Sequence, residues 1–488
     1  MMVKKTFIDN FLYPISMKNP LKDTMANNLR RLVGVLTLCL FTLGGNPASF
    51  AQSTSNDTNW SVLEYDEQGN VTNIITREGD DQASDSEILE MLENPANTPQ
   101  STPQNTRDTI AIPSHSNEFK KEFLDNEVVI VGLDSGALNG IIADGFYLLE
   151  RLYMRSLNVE ISRLRIPPEM SVPKAVLTLR KKYPKLIIDS HDVFEKSSDN
   201  IEGFIPPPVR NKKLFGNNYA REIIGWPRVG PTCGRGLRIG MIDGDVNTTH
   251  AQLVDRDVTF RNFVRDKSKP IGEKHGTAIA TLLVGRNSEQ TLGGLFPGAS
   301  LFAAGVFQNR NQRDVVSLTA MLAAINWMAE ENIKVVNIAV TGNQNQLMQL
   351  FINKAIERGM VLVAAAGNNG PTAQPVWPAA NSNVVAVTAI DHTLNIYKNA
   401  NQGNYIDFAA PGVNILTNTT TGLIRQTGTS FSTPYVTAAV ALLIQVGFEA
   451  NADIMRKNLH QYVVDLGNSG KDQIFGAGLI KIRPNCAA

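Results

Sequence analysis

From residue 226 to residue 488, uninterrupted apolar runs alternate with helical patterns. The runs are LRIGMI (237–242), SLFAAGV (300–306), KVVNIAV (334–340), MVLVAAA (360–366) and VVAVTAI (384–390). None shows the in–out polarity of a strand with one wet face, so each is expected to be covered on both sides, as in a parallel sheet. The pattern DVVSLTAMLAAINWMAEEN (314–332) puts Leu318, Met321, Leu322, Ile325 and Met328 on one helical face, with Asp314 as expected N-cap. Alternating strands and helices predict an α/β fold, a doubly wound parallel sheet. Reacting groups in such sheets gather beyond the carboxyl ends of the strands, where Asp243 and Asn368 stand.

With 488 residues the chain has room for two or three domains. Lys+Arg and Asp+Glu both number 46. That balance argues for neither a nucleic-acid partner nor an acidic substrate.

Three motifs carry chemistry: MIDGD (241–245), KHGTA (274–278) and GTSFSTP (428–434). Ser430 lies at the start of an apolar helix, 431–447, where backbone N–H groups favour developing negative charge, and Pro434 is expected in the first turn of that helix. Its hydroxyl needs a base, and His275 opens the small-residue helix HGTAIATLLVG (275–285). Asp243, ending a buried strand, is placed to orient an imidazole, with Asp245 as competitor. In VLVAAAGNNGP (361–371), Asn368 is the expected oxyanion donor, and Asn369 ranks second. Taken singly, each reads as ordinary structure: an N-cap Ser, a lone His, a strand-end Asp, an Asn-Gly turn. Their order and contexts together point to a serine peptidase.

These segments resemble the subtilase family, the subtilisin-like serine peptidases. GLFPGASLFAAGVF (294–307), VVNIAVTG (335–342), AAAGNNGP (364–371), WPAANSNVVAVTAID (377–391) and IDFAAPGV (406–413) carry the likeness through most of 226–488. The resemblance implies an Asp243–His275–Ser430 triad with Asn368 in the oxyanion hole. It also implies substrate binding along Ala339, Val340, Thr341 and Gly342, with Ala366 and Gly367 beside them, and protein or peptide substrates. Departures from the family pattern are Gly244-Asp245 where Thr-Gly is usual, and Ala339-Val340-Thr341-Gly342 where Ser-Leu-Gly-Gly is usual. Tyr435 stands where His is common. None removes a catalytic group, but they keep open a rival reading: a catalytically silent subtilase-like domain used in binding or assembly. Subtilases often bind calcium; no dense carboxylate loop is assigned here, so calcium is left unclaimed, no metal ligand is named and no cofactor is expected.

Residues 119–195 predict a β-α-β-β-α-β order closed by the strand KLIIDS (185–190), a small α+β, ferredoxin-like domain. Its position resembles the subtilase propeptide, which implies an intramolecular inhibitor cut off within 190–225. The polar stretch 52–118 is expected to be a flexible linker, and 196–225 the processing linker. Arg30-Arg31, the apolar run 32–45 and small residues near Ala51 predict an export signal within 1–51, with Met25 as an alternative start. The run is too short for a comfortable membrane span, so a secreted or periplasmic location is expected. Cleavage there would leave Cys233 and Cys486, whose bridge would staple the domain's ends; two separate thiols are the alternative.

Overall fold

A computed structural model describes residues 122–196, 219–264, 271–286, 293–310 and 313–486, and the backbone of 60–65 and 71–77. The expected signal (1–51) and most of the processing linker (197–218) lie outside the described residues. The chain divides into two units, Lys18–Asn117 and a larger one holding Glu118–Ala488. In the smaller unit, β1 (Trp60–Tyr65) and β2 (Val71–Arg77) form an antiparallel hairpin. A uniformly flexible linker does not describe these residues. Their β-branched content (Val71, Thr72, Ile74, Ile75, Thr76) suits a strand, which overall composition obscured.

The larger unit begins with β3 (Phe123–Val131), α1 (Ser135–Ala143), β4 (Tyr147–Met154), β5 (Val159–Arg165), α2 (Val172–Lys182) and β6 (Ile187–Lys196). These strands pair antiparallel in the order β6-β3-β5-β4. Ser171 caps α2 by accepting from the Lys174 N–H. One face of this sheet buries Val128, Ile130, Leu164 and Ile188 under α1 and α2. The alternate residues Val129 and Ile161 join a different core, built largely from residues beyond 300. The period-two pleat thus gives this small sheet two dry faces.

Next come α3 (Tyr219–Ile224), β7 (Arg238–Asp243), β8 (Val258–Asn262), α4 (Glu273–Val284), β9 (Ser300–Gly305), β10 (Phe307–Arg310), β11 (Arg313–Ser317) and α5 (Leu318–Glu330). Then follow β12 (Val335–Ile338), β13 (Val340–Thr341), α6 (Gln346–Glu357), β14 (Val361–Ala365), β15 (Val384–Ile390) and β16 (Phe408–Pro411). The chain closes with the hairpin β17 (Ile415–Thr419) and β18 (Gly422–Gln426), α7 (Thr429–Gln445), α8 (Ala452–Leu459), β19 (Val463–Val464) and β20 (Leu479–Ile480).

The main sheet runs β19-β20-β16-β15-β14-β12-β7-β9-β8, parallel except for β19. Side chains alternate between two cores: Ile239, Met241, Val361 and Val363 face α4 and α7, while Ile242, Val336, Leu362 and Ala364 face α5 and α6. That double coverage explains the continuous apolar runs.

Two local expectations are corrected. The helix expected from Asp314 starts at Leu318, capped by Ser317, and Arg313–Ser317 is a strand. Val315 and Val316 are β-branched and find partners in β10 and β6. Pro434 lies in the second turn of α7, since that helix starts at Thr429. Lacking an N–H, it cannot bond the Ser430 carbonyl one turn back.

Cys233 and Cys486 are joined by a disulfide across 253 residues of sequence. Closing so long a loop restricts the unfolded chain, and Cys486→Ser is expected to lower unfolding free energy by about 2–4 kcal/mol. Denaturant melts of oxidised and variant protein check this. Equal midpoints would show that the bridge adds nothing.

Candidate active site

β7, β12 and β14 lie side by side in register, Ile242 beside Ile338 and Ile338 beside Ala364. Their carboxyl ends therefore put Asp243, Ala339 and Ala365 on one level, with Asn368 just beyond. α4 and α7 pack against this sheet within one core and bring His275 and Ser430 to the same edge.

Asp243 is fully buried, with its Oδ1 accepting from Gly244 N–H at 2.6 Å. The same oxygen lies 2.7 Å from His275 Nδ1. An ionised carboxylate only accepts, so Nδ1 carries the proton and Nε2 is left as an acceptor. Ser430 Oγ lies 2.9 Å from that Nε2. The Phe431 ring, its centroid 5.0 Å from that of His275, covers the imidazole. Gly428, at φ 151°, turns the chain into α7, so Ser430 falls in the first turn with its backbone N–H free of an intrahelical partner. This arrangement can move a proton from a hydroxyl to a neutral imidazole whose other nitrogen is anchored.

Asn368 is oriented from the same helix. Its Oδ1 accepts from Thr429 N–H at 3.0 Å and from Thr429 Oγ1 at 3.1 Å. Fixing Oδ1 fixes the amide, and Nδ2 is buried with no hydrogen-bond partner. A buried, unpaired donor costs about 1–3 kcal/mol, a cost that an incoming anionic oxygen would remove. Asn369, the second choice, is exposed, and its backbone N–H donates to Asn401 Oδ1 at 2.7 Å. Asn401 also donates through Nδ2 to the Gln374 carbonyl and through its N–H to the Gly367 carbonyl. The sequence reading missed Asn401. It lies outside the recognised segments, and only the fold brings it to this loop. Ala366 is held by Tyr405, whose hydroxyl donates to its carbonyl. Gly367, at φ 102°, is a position that disfavours a Cβ.

β13 (Val340–Thr341) is covered by the sheet β6-β3-β5-β4. Val340 pairs with Lys196 and Thr341 with Glu195, antiparallel. Val193–Glu195 also pair with β11 on the other side. Gly342 packs against Phe194, where a Cβ would collide with the ring, and its backbone bonds Trp377 in both directions. Polar contacts pin the two layers together. Asn345, the N-cap of α6, donates to Asp192, and Gln346 N–H donates to Asp189. His191 lies between Glu127 and Thr319, 2.8 and 3.1 Å away.

Among the described residues, no group of three or more His, Cys, Asp or Glu side chains is placed to hold a metal. No helix among them is long and apolar enough to cross a membrane.

The subtilase family model matches residues 234–478. Thermitase of Thermoactinomyces vulgaris is 34% identical over 222 residues, 45% of this chain and 78% of that protein. The minor extracellular protease Epr of Bacillus subtilis is 29% identical over 304 residues, 61% of this chain but only 43% of Epr. Among solved structures, fervidolysin of Fervidobacterium pennivorans, a keratinolytic enzyme related to subtilisin, superposes with a TM-score of 0.59 at 20% identity. That match covers 74% of this chain and 60% of fervidolysin, and it is a likeness of fold. The chain belongs to the subtilase family.

Proposed function

We propose that this chain is an exported endopeptidase that works through an acyl-enzyme on Ser430 and processes its own N-terminal part. The observation that carries the reading is the unbroken line from Asp243 through both imidazole nitrogens of His275 to Ser430 Oγ. Ser430 attacks the peptide carbonyl while His275 Nε2 takes its proton. Asp243 holds the Nδ1–H and stabilises the imidazolium. Asn368 Nδ2 and the Ser430 N–H receive the oxyanion. His275 then gives its proton to the leaving amine as the C–N bond breaks. Water, deprotonated by the same imidazole, releases the acyl group.

The sheet β6-β3-β5-β4 is read as a ferredoxin-like inhibitor. Support comes from its strand order and from the pairing of Glu195 and Lys196 with Val340 and Thr341, where an extended substrate would lie. Separation of this layer requires a cut within 190–225. Export rests on the sequence pattern of residues 30–51 and on the extracellular relative.

A fluorophosphonate is expected to label the processed protein at Ser430, and N-terminal sequencing is expected to find a new terminus within 190–225. Absence of labelling in folded, processed protein would instead assign the domain to binding or assembly.

The layer is also expected to be held less firmly in acid. Burial pushes His191 below its ordinary pKa and outweighs the opposing pull of Glu127, while Arg163 adds to the lowering. Burial would raise Glu127, but hydrogen bonds from His191 and Arg163 prevail and hold it at about 2. His191 is thus neutral when docked and takes up a proton when released. Its contribution is fully present above the free value of about 6.5 and is lost as pH falls below it. Hydrogen exchange of β6 in Ser430→Ala is expected to quicken, relative to intrinsic rates, between pH 7 and pH 5. A His191→Asn variant that keeps the same pH dependence would exclude His191 as the cause.

A further inference from the structure

We infer that Gly244 and Asp245 form a clasp that seats the start of the His275 helix on the end of the Asp243 strand, which makes Asp245 a positioning residue for the general base. The inference deepens the reading above and rests on His275 acting as that base.

The first observation is steric. A Cβ at Gly244 would lie 2.5 Å from the Gly272 carbonyl oxygen and 2.9 Å from its Cα. A Cβ at Gly276, one residue past His275, would run into the carbonyl oxygens of Gly244 and Asp245. The helix start and the strand end therefore meet backbone to backbone. A Thr at position 244, the residue usual in the family, cannot fit this approach.

The second observation is the bonding that closes this contact. Asp245 N–H donates to the Ile271 carbonyl at 2.9 Å, and Asp245 Oδ2 accepts from Ile271 N–H at 3.3 Å. Asp245 Oδ1 accepts from Asn262 Nδ2 at 2.8 Å. Asn262 ends β8, and its own Oδ1 accepts from Val264 N–H. Gly305, paired with Asp243 in β9, leaves room for this carboxylate, since a Cβ there would strike Asp245 Oδ1. One buried side chain thus links the ends of β7 and β8 to residue 271.

From there the path to the imidazole is short. Gly272 is the N-cap of α4, and its carbonyl accepts from the His275 and Gly276 N–H groups at 3.0 and 2.9 Å. Displacement of residues 271–272 therefore carries His275 with it. Asp243 Oδ2 is buried without a hydrogen bond, so the carboxylate has no further donor to follow a displaced ring.

The test measures kcat and KM on a peptide substrate, with thermal melts, for Gly244→Ala, Asp245→Ala, their double variant and Asp245→Asn. The two alanine variants are each expected to lower kcat about 10- to 100-fold with KM within about three-fold, as misplacement of a reacting group does. Because both release the same contact, the double variant is expected within about three-fold of the worse single one. Asp245→Asn is nearly isosteric and keeps one bond, so a partial rescue relative to alanine is expected. Should Asp245→Ala fail to fold, Asp245→Asn and Gly244→Ala decide, each with a kcat below wild type at unchanged KM.

The clasp is overturned if folded Asp245 variants keep wild-type kcat, or if the two alanine losses multiply in the double variant. His275→Ala separates the two levels. Wild-type turnover in that variant sinks the triad reading, whereas an inactive His275→Ala beside unimpaired Asp245 variants sinks only the clasp.

Discussion

Ser430→Ala is expected to lower kcat about a million-fold, the size found on removing the nucleophile of subtilisin, a relative of this chain. The substitution deletes one oxygen whose partner in the structure is His275 Nε2. His275 stays held to Asp243, and Asn368 stays held to Thr429, so binding and the oxyanion donors persist. What disappears is the atom that forms the acyl-enzyme, and water must attack unaided. Residual turnover of about 1000-fold over the uncatalysed rate is therefore consistent with the proposal. On the proposed reading the same variant is expected to keep residues 119–195 attached, because self-processing needs the same hydroxyl. Peptide hydrolysis and intact mass are the two measurements. Undiminished hydrolysis would remove Ser430 from the mechanism. Normal processing by an inactive variant would mean that another protease makes the cut.

Asn368→Ala is expected to lower kcat about 100- to 1000-fold while leaving KM within a few-fold; the magnitude again comes from subtilisin. The Nδ2 donor is buried without a partner, and on the proposed reading it gains its bond only when negative charge develops on the substrate oxygen. A group that binds the transition state alone changes kcat and not KM. Loss of the side chain also strips Thr429 of its two bonds to Oδ1, so a small fall in melting temperature is expected as well. Asn369→Ala is the control. Its side chain is exposed, and only its backbone N–H is engaged with Asn401, so kcat is expected to hold. Equal losses in the two variants would place the oxyanion donor elsewhere.

The strand ends and the residues after them were legible because burial on both faces forces continuous apolar runs, and because a chemical group must follow directly where such a run stops. VVAVTAI was read to its exact bounds as β15. KLIIDS was read short, since β6 continues to Lys196. Its last residues are polar, and they are in a strand because Val315–Ser317 and Val340–Thr341 lie on either side. The helix expected from Asp314 failed for the same reason. Its first residues, Asp314–Ser317, are held in a strand between the neighbouring β10 and β6, which is far away in sequence.

The sequence by itself determined the fold class, the order of Asp243, His275 and Ser430, and the candidacy of Asn368, because each follows from a local pattern with a local cause. It left MIDGD with an acid of no evident use. Tertiary structure decided what that acid does. Its partners, Asn262 and Ile271, are 17 and 26 residues away along the chain, and only the packing of β8 and α4 against β7 brings them within bonding distance. It also decided that Asn401 braces the loop after β14 and that Glu195 and Lys196 pair with Thr341 and Val340. Hydrogen bonds form across space, and a local pattern carries no record of which distant residue will arrive.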